Sequence, residues 1–597
     1  MNNRNETSIK LLPKSQFQDL DKDELPEEVS SYTKFYNMGL ALVTAMLLAF
    51  VVLPRIPLLQ KGDIVTKDIS APYTLYIEYQ TPEQTIIAYK VNKGDVIVEA
   101  GRRVSEKSAR ILAEIARREG IGTKSHAFLG LTTLILILFF LFYQHIKRYR
   151  PQIITDTRKL FLLAFLLLVT VIVSQFTKYV FSLIGDPLGV DASTVGFALP
   201  VAGGAMLVTL LFDLHLALGF SFIISILLGV LFRGDPFMPI YYFVGSTVAA
   251  LCVIQCKKRT AVLRAGALTG LFNLIAIASI DLYKGEWMSH GLYDLGAGLF
   301  GAFMVSMLVS LLLPFYEAMF DIATDIKLLE LMDPNQPLLK ELVYKSPGTY
   351  HHSILIGNLA EAAAEAIGEN PLLARVGAYY HDIGKIRKPE YFIENQRPSE
   401  NKHDRLTPSM SSLIIASHVK DGVEVAREHK LPGTVIDIIQ QHHGTSLITY
   451  FYQKAKDLYP FTKISEEDYR YPGPRPRTKV AAIVMLADAV EAASRTLEDP
   501  TPQRIQALTN SVITRIFLDD QFSKCDLTLR NLREIAKSFN LILNGIFHHR
   551  IHYPGMDLAG EKKRSDYLDK KQPEEAKTGN GKDKGKSQDA VTEPRSS

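Results

Sequence analysis

Eight of the chain's fifteen histidines fall between His351 and His443. They stand as His351-His352, His381-Asp382, His403-Asp404, His418, His429 and His442-His443, and a lone Asp488 follows. Imidazoles and carboxylates gathered without a neighbouring cysteine point to a metal site built from nitrogen and oxygen donors. Such donors suit iron or manganese, and zinc also accepts them. The chemistry these residue types point to is that of bound divalent metal.

Helices must bring these groups together. His352, Leu355, Ile356 and Leu359 recur at i, i+3, i+4 and i+7, which puts His352 on the apolar stripe of a helix. Leu373, Val376, Tyr380 and His381 form a second stripe that ends at Gly384. Ile414 stands one turn before His418, and Val480, Val484 and Asp488 make an i, i+4, i+8 series. A carboxylate on such a stripe is costly unless it is paired or binds a metal. Four helices therefore each carry a potential ligand on the buried side, and His442-His443 adds two at a helix end before Gly444. A single buried histidine is ordinarily a hydrogen-bonded core residue; the joint pattern carries the metal reading. Lys385 follows Asp382 by three residues, so it can reach the same site and hold a phosphate oxygen as a point charge, unless it is a solvated surface lysine. His351 faces another azimuth and is the alternative to its neighbour His352. His403, Asp404 and Arg405 lie in a polar loop and either touch substrate, Arg405 above all, or are solvated. His429 reads as surface, and His548, His549 and His552 as structural or surface.

The rest of the 597 residues divides in two. The chain is 47% hydrophobic and 22% charged, but residues 36–314 are strongly apolar and 315–597 have a soluble composition. A net charge of +4 on this length gives no footing for a nucleic-acid polymer as partner. Cys252, Cys256 and Cys525 make no disulfide framework and read as structural. After a polar tail over 1–35, the uncharged run 36–54 is long enough to cross a bilayer once. A cleaved signal peptide is the rival reading, but the preceding flank is long and not basic, and no small-x-small site follows. Residues 55–125 form a short extracytoplasmic segment, with a turn at Lys93-Gly94-Asp95 before a strand Val96–Val98. A helix from Ser105 to Arg118 follows, with Ser105 and Ser108 able to cap it.

Seven more apolar segments, 126–146, 159–182, 195–211, 214–232, 236–255, 261–281 and 292–314, make a membrane domain over 126–314. A close-spaced pair among them either crosses twice or is re-entrant. Lys147, Arg148, Arg150, Arg158 and Lys159 fall in one loop, and Lys257, Lys258, Arg259 and Arg264 in another. With eight crossings both loops lie on one side, which positive charge makes cytoplasmic, together with both termini. Asp213, His215 and Asp294 read as interfacial loop residues and Trp287 as an outer anchor. Pro314 ends the last crossing. A helical connector over 315–345, broken at Asp333-Pro334, leads to a soluble module over 346–555. The tail 556–597 has too few large apolar residues to fold.

The run His381-Asp382-Ile383-Gly384-Lys385 resembles the signature of the HD phosphohydrolase superfamily. With its upstream His, downstream His, His-His pair and late Asp, the set resembles the two-metal branch. Gly348-Thr349-Tyr350-His351-His352-Ser353, the stretch Ala323 to Leu331, and His418-Val419-Lys420-Asp421-Gly422 resemble the seven-transmembrane HD-domain family of the PgpH type, over about 36–60 and 85–550. The resemblance implies an α-dominated fold: a polytopic helical membrane domain, a cytosolic all-α HD domain and a small α+β outer segment. It implies two divalent ions, manganese or iron. One would be held by His352, His381, Asp382 and Asp488, the other by Asp382, His418, His442 and His443, with Asp382 bridging and catalytic alongside Lys385. It further implies hydrolysis of cyclic di-AMP to pApA at a bacterial inner membrane, with the cyclic dinucleotide and the lipid bilayer as partners. Members usually carry a few hundred residues outside after the first crossing; about 70 stand here, which puts sensing from outside in doubt. The HD-GYP branch, acting on cyclic di-GMP, follows its His-His pair with an acid and Gly-Tyr-Pro. Here Gly444-Thr445-Ser446 follows, and Tyr471-Pro472 lies far downstream in another setting. Single-metal HD enzymes acting on ppGpp need no His-His pair. A receptor that binds nucleotide without turnover is the non-enzymatic alternative.

Overall fold

A computed structural model describes residues 31–53, 65, 68–71, 74–80, 86–99, 101–118, 121–185, 192–232, 235–254, 256–396, 401–461 and 463–547. The tail after 555, most of the N-terminal tail, and His548, His549 and His552 lie outside the described residues. The chain opens on helix α1 (Ser31–Val52). Four short strands follow: β1 (Ile69–Ser70), β2 (Leu75–Gln80), β3 (Ile86–Val91) and β4 (Val96–Val98). They form two antiparallel pairs, β1 with β4 and β2 with β3, the second in register from Leu75 opposite Val91 to Gln80 opposite Ile86. Helix α2 (Glu106–Arg118) closes this segment, and Ser105 caps it by accepting the Ser108 N–H at 3.0 Å. Ala71, Leu75, Val91, Ile111 and Ile115 form its small core.

Apolar sequence in a bilayer must satisfy its backbone internally, and helices do so. The membrane domain runs through α3 (Ile121–Tyr149), the short α4 (Pro151–Thr155), α5 (Thr157–Gly185), α6 (Ala192–Phe197), α7 (Ala202–Leu211), α8 (Leu214–Gly229), α9 (Phe237–Val253), α10 (Arg259–Lys284) and α11 (Trp287–Phe320). Among the described residues six helical stretches are long and apolar enough to cross a membrane. The segments expected at 214–232 and 236–255 fold as shorter apolar helices, α8 of 16 residues and α9 of 17. The segment expected at 195–211 breaks at Pro200 into α6 and α7, since proline cannot donate to the helix ladder. Next to that break the carbonyls of Gly196 and Phe197 accept the buried hydroxyls of Tyr242 and Tyr241 at 3.1 Å each. Asp213 stands at the junction of α7 and α8, capping α8 at Leu216 N–H (3.0 Å) and pairing with Arg150 at 2.5 Å. Asp294 is not in a loop: α11 begins at Trp287, five residues before the apolar run expected from 292, so Asp294 lies inside the helix and is buried.

Pro314 does not end the last crossing. Helix α11, 34 residues long in all, continues through it to Phe320 and stops at Asp321, whose φ of 54° is a left-handed cap. Beyond it stand α12 (Asp325–Leu331) and α13 (Pro337–Lys345), separated at Asp333-Pro334 as the sequence predicts. The soluble module then follows with α14 (Pro347–Ala366), α15 (Pro371–Tyr380), α16 (Pro408–Glu428), α17 (Gly433–Gln441), α18 (Thr449–Leu458), α19 (Lys479–Ser494), α20 (Pro502–Leu518) and α21 (Leu529–Ile546). Side chains of Asn370, Thr407, Thr478 and Thr501 each accept the N–H three residues on, capping α15, α16, α19 and α20. Leu331 of α12, Tyr380 of α15, Val423 of α16 and Val435 and Ile439 of α17 share one buried core, so the connector is built into the module.

Candidate metal centre

Two glycines decide how close the ligand-bearing elements come. A Cβ on Gly384 would lie 1.9 Å from the His418 carbonyl oxygen and 2.5 Å from the Gly422 nitrogen. Only glycine lets the 3-10 turn Ile383–Arg387 press its backbone onto α16, and that contact sets Asp382 beside His418. Gly348 plays the same part for α14, where a Cβ would stand 1.9 Å from the Glu394 carbonyl oxygen. There Asn395 Oδ1 accepts the N–H groups of Gly348 (3.0 Å) and Thr349 (3.3 Å), tying the 393–395 turn to the start of the His352 helix.

The seven predicted ligands meet at one place. Asp382, His418, His442 and His443 form one set of donor atoms, and His352, His381 and Asp488 another, each mutually within 4.8 Å. Asp382 lies between them. Its Oδ1 is 3.2 Å from His418 Nε2 and 3.7 Å from His442 Nε2, and its Oδ2 is 3.1 Å from His381 Nε2 and 3.7 Å from His352 Nε2. Asp488 closes the ring, with Oδ1 3.0 Å from His352 Nε2 and Oδ2 3.6 Å from His443 Nδ1. Three imidazoles are oriented by their own helices. Nδ1–H of His381 donates to the Ala378 carbonyl (2.7 Å), that of His418 to Ile415 (2.6 Å) and that of His442 to Ile439 (2.7 Å). Each bond turns Nε2 inward as a lone-pair donor. His381 Nε2 and Asp382 Oδ1 are buried with no hydrogen-bond partner among the described residues, which fits a cation and leaves an all-protein arrangement unsatisfied.

The electrostatics follow from crowding. Burial works against charge on Asp382, yet His381 and Lys385 outweigh it and hold the carboxyl well below its usual range. Asp488 is likewise held down, chiefly by His352 and His443. Burial pushes His442 down to about 4, with the neighbouring imidazoles His381 and His418 adding to it, and lowers His443 as well. His352 goes the other way. Burial opposes its charge, but Asp488 and Glu491 push it up to about 9. Lys385 lies largely shielded between Asp382 (2.7 Å) and Glu394 (2.8 Å), which raise it against burial, so it is no solvated lysine.

Other sequence candidates separate. His351 is exposed, so the choice falls to His352. His403 is a core residue, its Nε2 2.8 Å from the Tyr391 carbonyl, and Arg405 is exposed outside the cluster. His429 bonds the Val425 carbonyl at the end of α16. Residues the sequence reading passed over complete the site. Glu491 receives Nδ1–H of His352 at 2.7 Å and is itself held by Arg495 at 2.6 Å. It lies three residues past Asp488 on the same helical stripe, a signal that was there to read. Tyr471 corrects an expectation. Far from being in another setting, its ring stacks on His443 with centroids 4.2 Å apart. The loop returns because Tyr471 N–H donates to Ser446 (3.0 Å) and Arg470 to the Thr445 carbonyl (2.7 Å).

Comparison with known proteins agrees with this division. The profile of the 7TM receptor with intracellular HD hydrolase matches residues 125–324, and that of the HD domain matches 349–493. Cyclic-di-AMP phosphodiesterase PgpH of Bacillus subtilis (strain 168) is 41% identical over 399 residues, 65% of this chain and 54% of that protein. The protein of the same name from Listeria monocytogenes serotype 1/2a (strain 10403S) is 35% identical over 494 residues, 81% of this chain and 67% of that protein. The chain thus spans between half and two thirds of the curated relatives it matches. The crystal structure of the L. monocytogenes PgpH HD domain in complex with cyclic-di-AMP is 51% identical, covers 36% of this chain and 100% of that one, and superposes with a TM-score of 0.35.

Proposed function

Since the chain belongs to the seven-transmembrane HD-domain family, we propose that it is a membrane-bound, metal-dependent phosphodiesterase hydrolysing cyclic di-AMP to pApA and so controlling the level of that second messenger. The activity named for both relatives supports the substrate. The single observation that carries the reaction is the division of seven clustered donors into two sets with Asp382 offering one oxygen to each. His352, His381, Asp382 and Asp488 would hold one divalent ion, manganese or iron, and Asp382, His418, His442 and His443 the other. Bound there, the pair would supply a water of lowered pKa and positive charge for the phosphodiester oxygens.

The chain's own residues prepare this. Asp382 and Asp488 are kept as carboxylates and His442 and His443 as neutral imidazoles, the forms a cation needs. Lys385 keeps its ammonium charge beside Asp382, and Glu394 holds it in place, leaving donor capacity for a phosphate oxygen. Burial keeps the Tyr471 phenol protonated, so it offers a neutral wall beside His443. Arg405, exposed outside the cluster, is a candidate substrate contact.

The module would face the cytoplasm of a bacterial inner membrane. Both basic loops support this by lying at the module's end of the membrane domain. Arg259 pairs with Glu330 of α12 at 2.7 Å, and Asp213, the partner of Arg150, shares a cavity of about 320 Å³ with Asp325. The test is turnover by the purified full chain with Mn2+, offered cyclic di-AMP, cyclic di-GMP and ppGpp separately. Preferential conversion of cyclic di-AMP to pApA is expected. Preference for either other nucleotide rejects the substrate. Tight binding of cyclic di-AMP without product, metals bound, makes the chain a receptor.

A further inference from the structure

We propose that Asp321 and Tyr380 are positioning residues through which the last membrane helix sets the spacing between the two halves of the metal centre. Both halves are fastened to the end of α11, by separate arms. The first arm is direct. Helix α17 has Pro432 at its N-cap position and no side-chain cap of its own. Asp321, 112 residues earlier and the cap of α11, supplies one, its Oδ1 accepting the Gly433 N–H at 2.8 Å. The approach is close: a Cβ on Gly433 would lie 2.1 Å from Asp321 Oδ2, so glycine there leaves room for the carboxylate. Helix α17 is nine residues long, about 13 Å of rigid rod, and His442-His443 stand at its far end. Asp321 therefore holds the start of the rod whose other end carries two ligands of one set.

The second arm runs through the connector. Arg259, the first residue of α10, bonds Glu317 of α11 at 3.2 Å and Glu330 of α12 at 2.7 Å. Thr324, the cap of α12, donates its hydroxyl to Glu317. The next residue after Glu330, Leu331, offers its carbonyl to the Tyr380 hydroxyl at 2.8 Å. Tyr380 is fully buried and immediately precedes His381-Asp382. This arm ends on the other set and on the carboxylate shared by both.

Close-packed interiors transmit displacement without absorbing it. A shift or rotation of α11 therefore reaches both halves of the centre, and it moves His442-His443 against His381-Asp382 to the extent that the two arms travel unequally through the core they share. That gives the membrane domain a mechanical hold on the centre, and it does not need a large outer domain.

The proposal rests on the two-metal reading, and the experiment separates the two. The full chain in lipid nanodiscs is loaded with Mn2+; kcat and KM for cyclic di-AMP are measured, and the magnetic coupling between paired Mn2+ ions is read by electron paramagnetic resonance. Asp321→Gly removes the acceptor while keeping the left-handed backbone; Asp321→Asn keeps an acceptor oxygen; Tyr380→Phe removes only the hydroxyl. Expected are a kcat about ten- to a hundredfold lower in Asp321→Gly and Tyr380→Phe, KM unchanged, an altered coupling, and recovery in Asp321→Asn. Unchanged kcat and coupling in Asp321→Gly, the variant least able to harm folding, overturns the proposal. So does an Asp321→Asn chain as impaired as Asp321→Gly. A wild-type chain with no coupled Mn2+ pair overturns the two-metal reading itself.

Discussion

Substituting Gly384 by alanine tests whether backbone contact, and not side-chain chemistry alone, builds the centre. The added Cβ would stand 1.9 Å from the His418 carbonyl oxygen, where ordinary contact begins near 3.4 Å. The missing 1.5 Å cannot come from a rotamer, since the atoms met first are the backbone of His418 and Gly422. The 3-10 turn and α16 must part, and Asp382 Oδ1 and His418 Nε2, 3.2 Å apart, lie on opposite sides of that seam. A misplacement of about 1 Å at reacting groups costs on the order of 100-fold, and overpacking costs about 1–3 kcal/mol of stability. Gly422→Ala is the control. Its Cβ meets the Ile439 Cγ2 methyl at 3.0 Å and the Gly384 nitrogen at 3.3 Å, a few tenths of an ångström too close where Gly384→Ala is 1.5 Å too close, so it should cost far less. The assay is kcat for cyclic di-AMP with metal content and melting temperature measured on the same preparations. A folded Gly384→Ala chain with both metals and wild-type kcat would show that this backbone contact does not position Asp382, as would Gly422→Ala proving the worse of the two.

Three further outcomes are expected. Asp382→Ala abolishes turnover and releases both metals, since one carboxylate faces both sets; full metal content by elemental analysis would contradict the bridging role. Glu491→Gln weakens the pull on His352 Nδ1 and lowers metal affinity about 10–100-fold, read by competition with a chelator, with little effect on the melting temperature of the metal-free chain. Stability of the metal-free chain should peak near pH 6.5. His442, depressed to about 4 when folded, contributes stability above its unfolded value that is lost as pH falls from about 6.5 to 4. His352, raised to about 9, contributes stability below its unfolded value that is lost as pH rises toward 9. Each contribution is worth about 3 kcal/mol. Thermal melts that stay flat from pH 4 to 9 would rule this out.

What could be read in advance divides by range. His352, His381, His418 and Asp488 were visible because each sits on a helical stripe whose period is local. Ser105 as a helix cap was visible for the same reason. Glu491 was equally local and lies one turn beyond Asp488. The contact of Gly384 with Gly422 was not visible, because it joins two elements whose approach depends on the whole module. Tyr471 depended on a loop returning 28 residues after His443 through bonds to Ser446 and Thr445. Pro314 misled because a proline inside a helix costs little where neighbouring helices satisfy the freed group. Asp294 misled because polarity marks a boundary only when the helix begins where the apolar run does.

The three imidazoles that donate to carbonyls three residues back in their own helices carry one more consequence. Their aim is inherited from local backbone and owes nothing to a guest ion. A cation entering there would meet three nitrogens already aimed, and swapping one cation for another should leave the surrounding helices undisturbed. An organism short of one metal could run the same protein on a second.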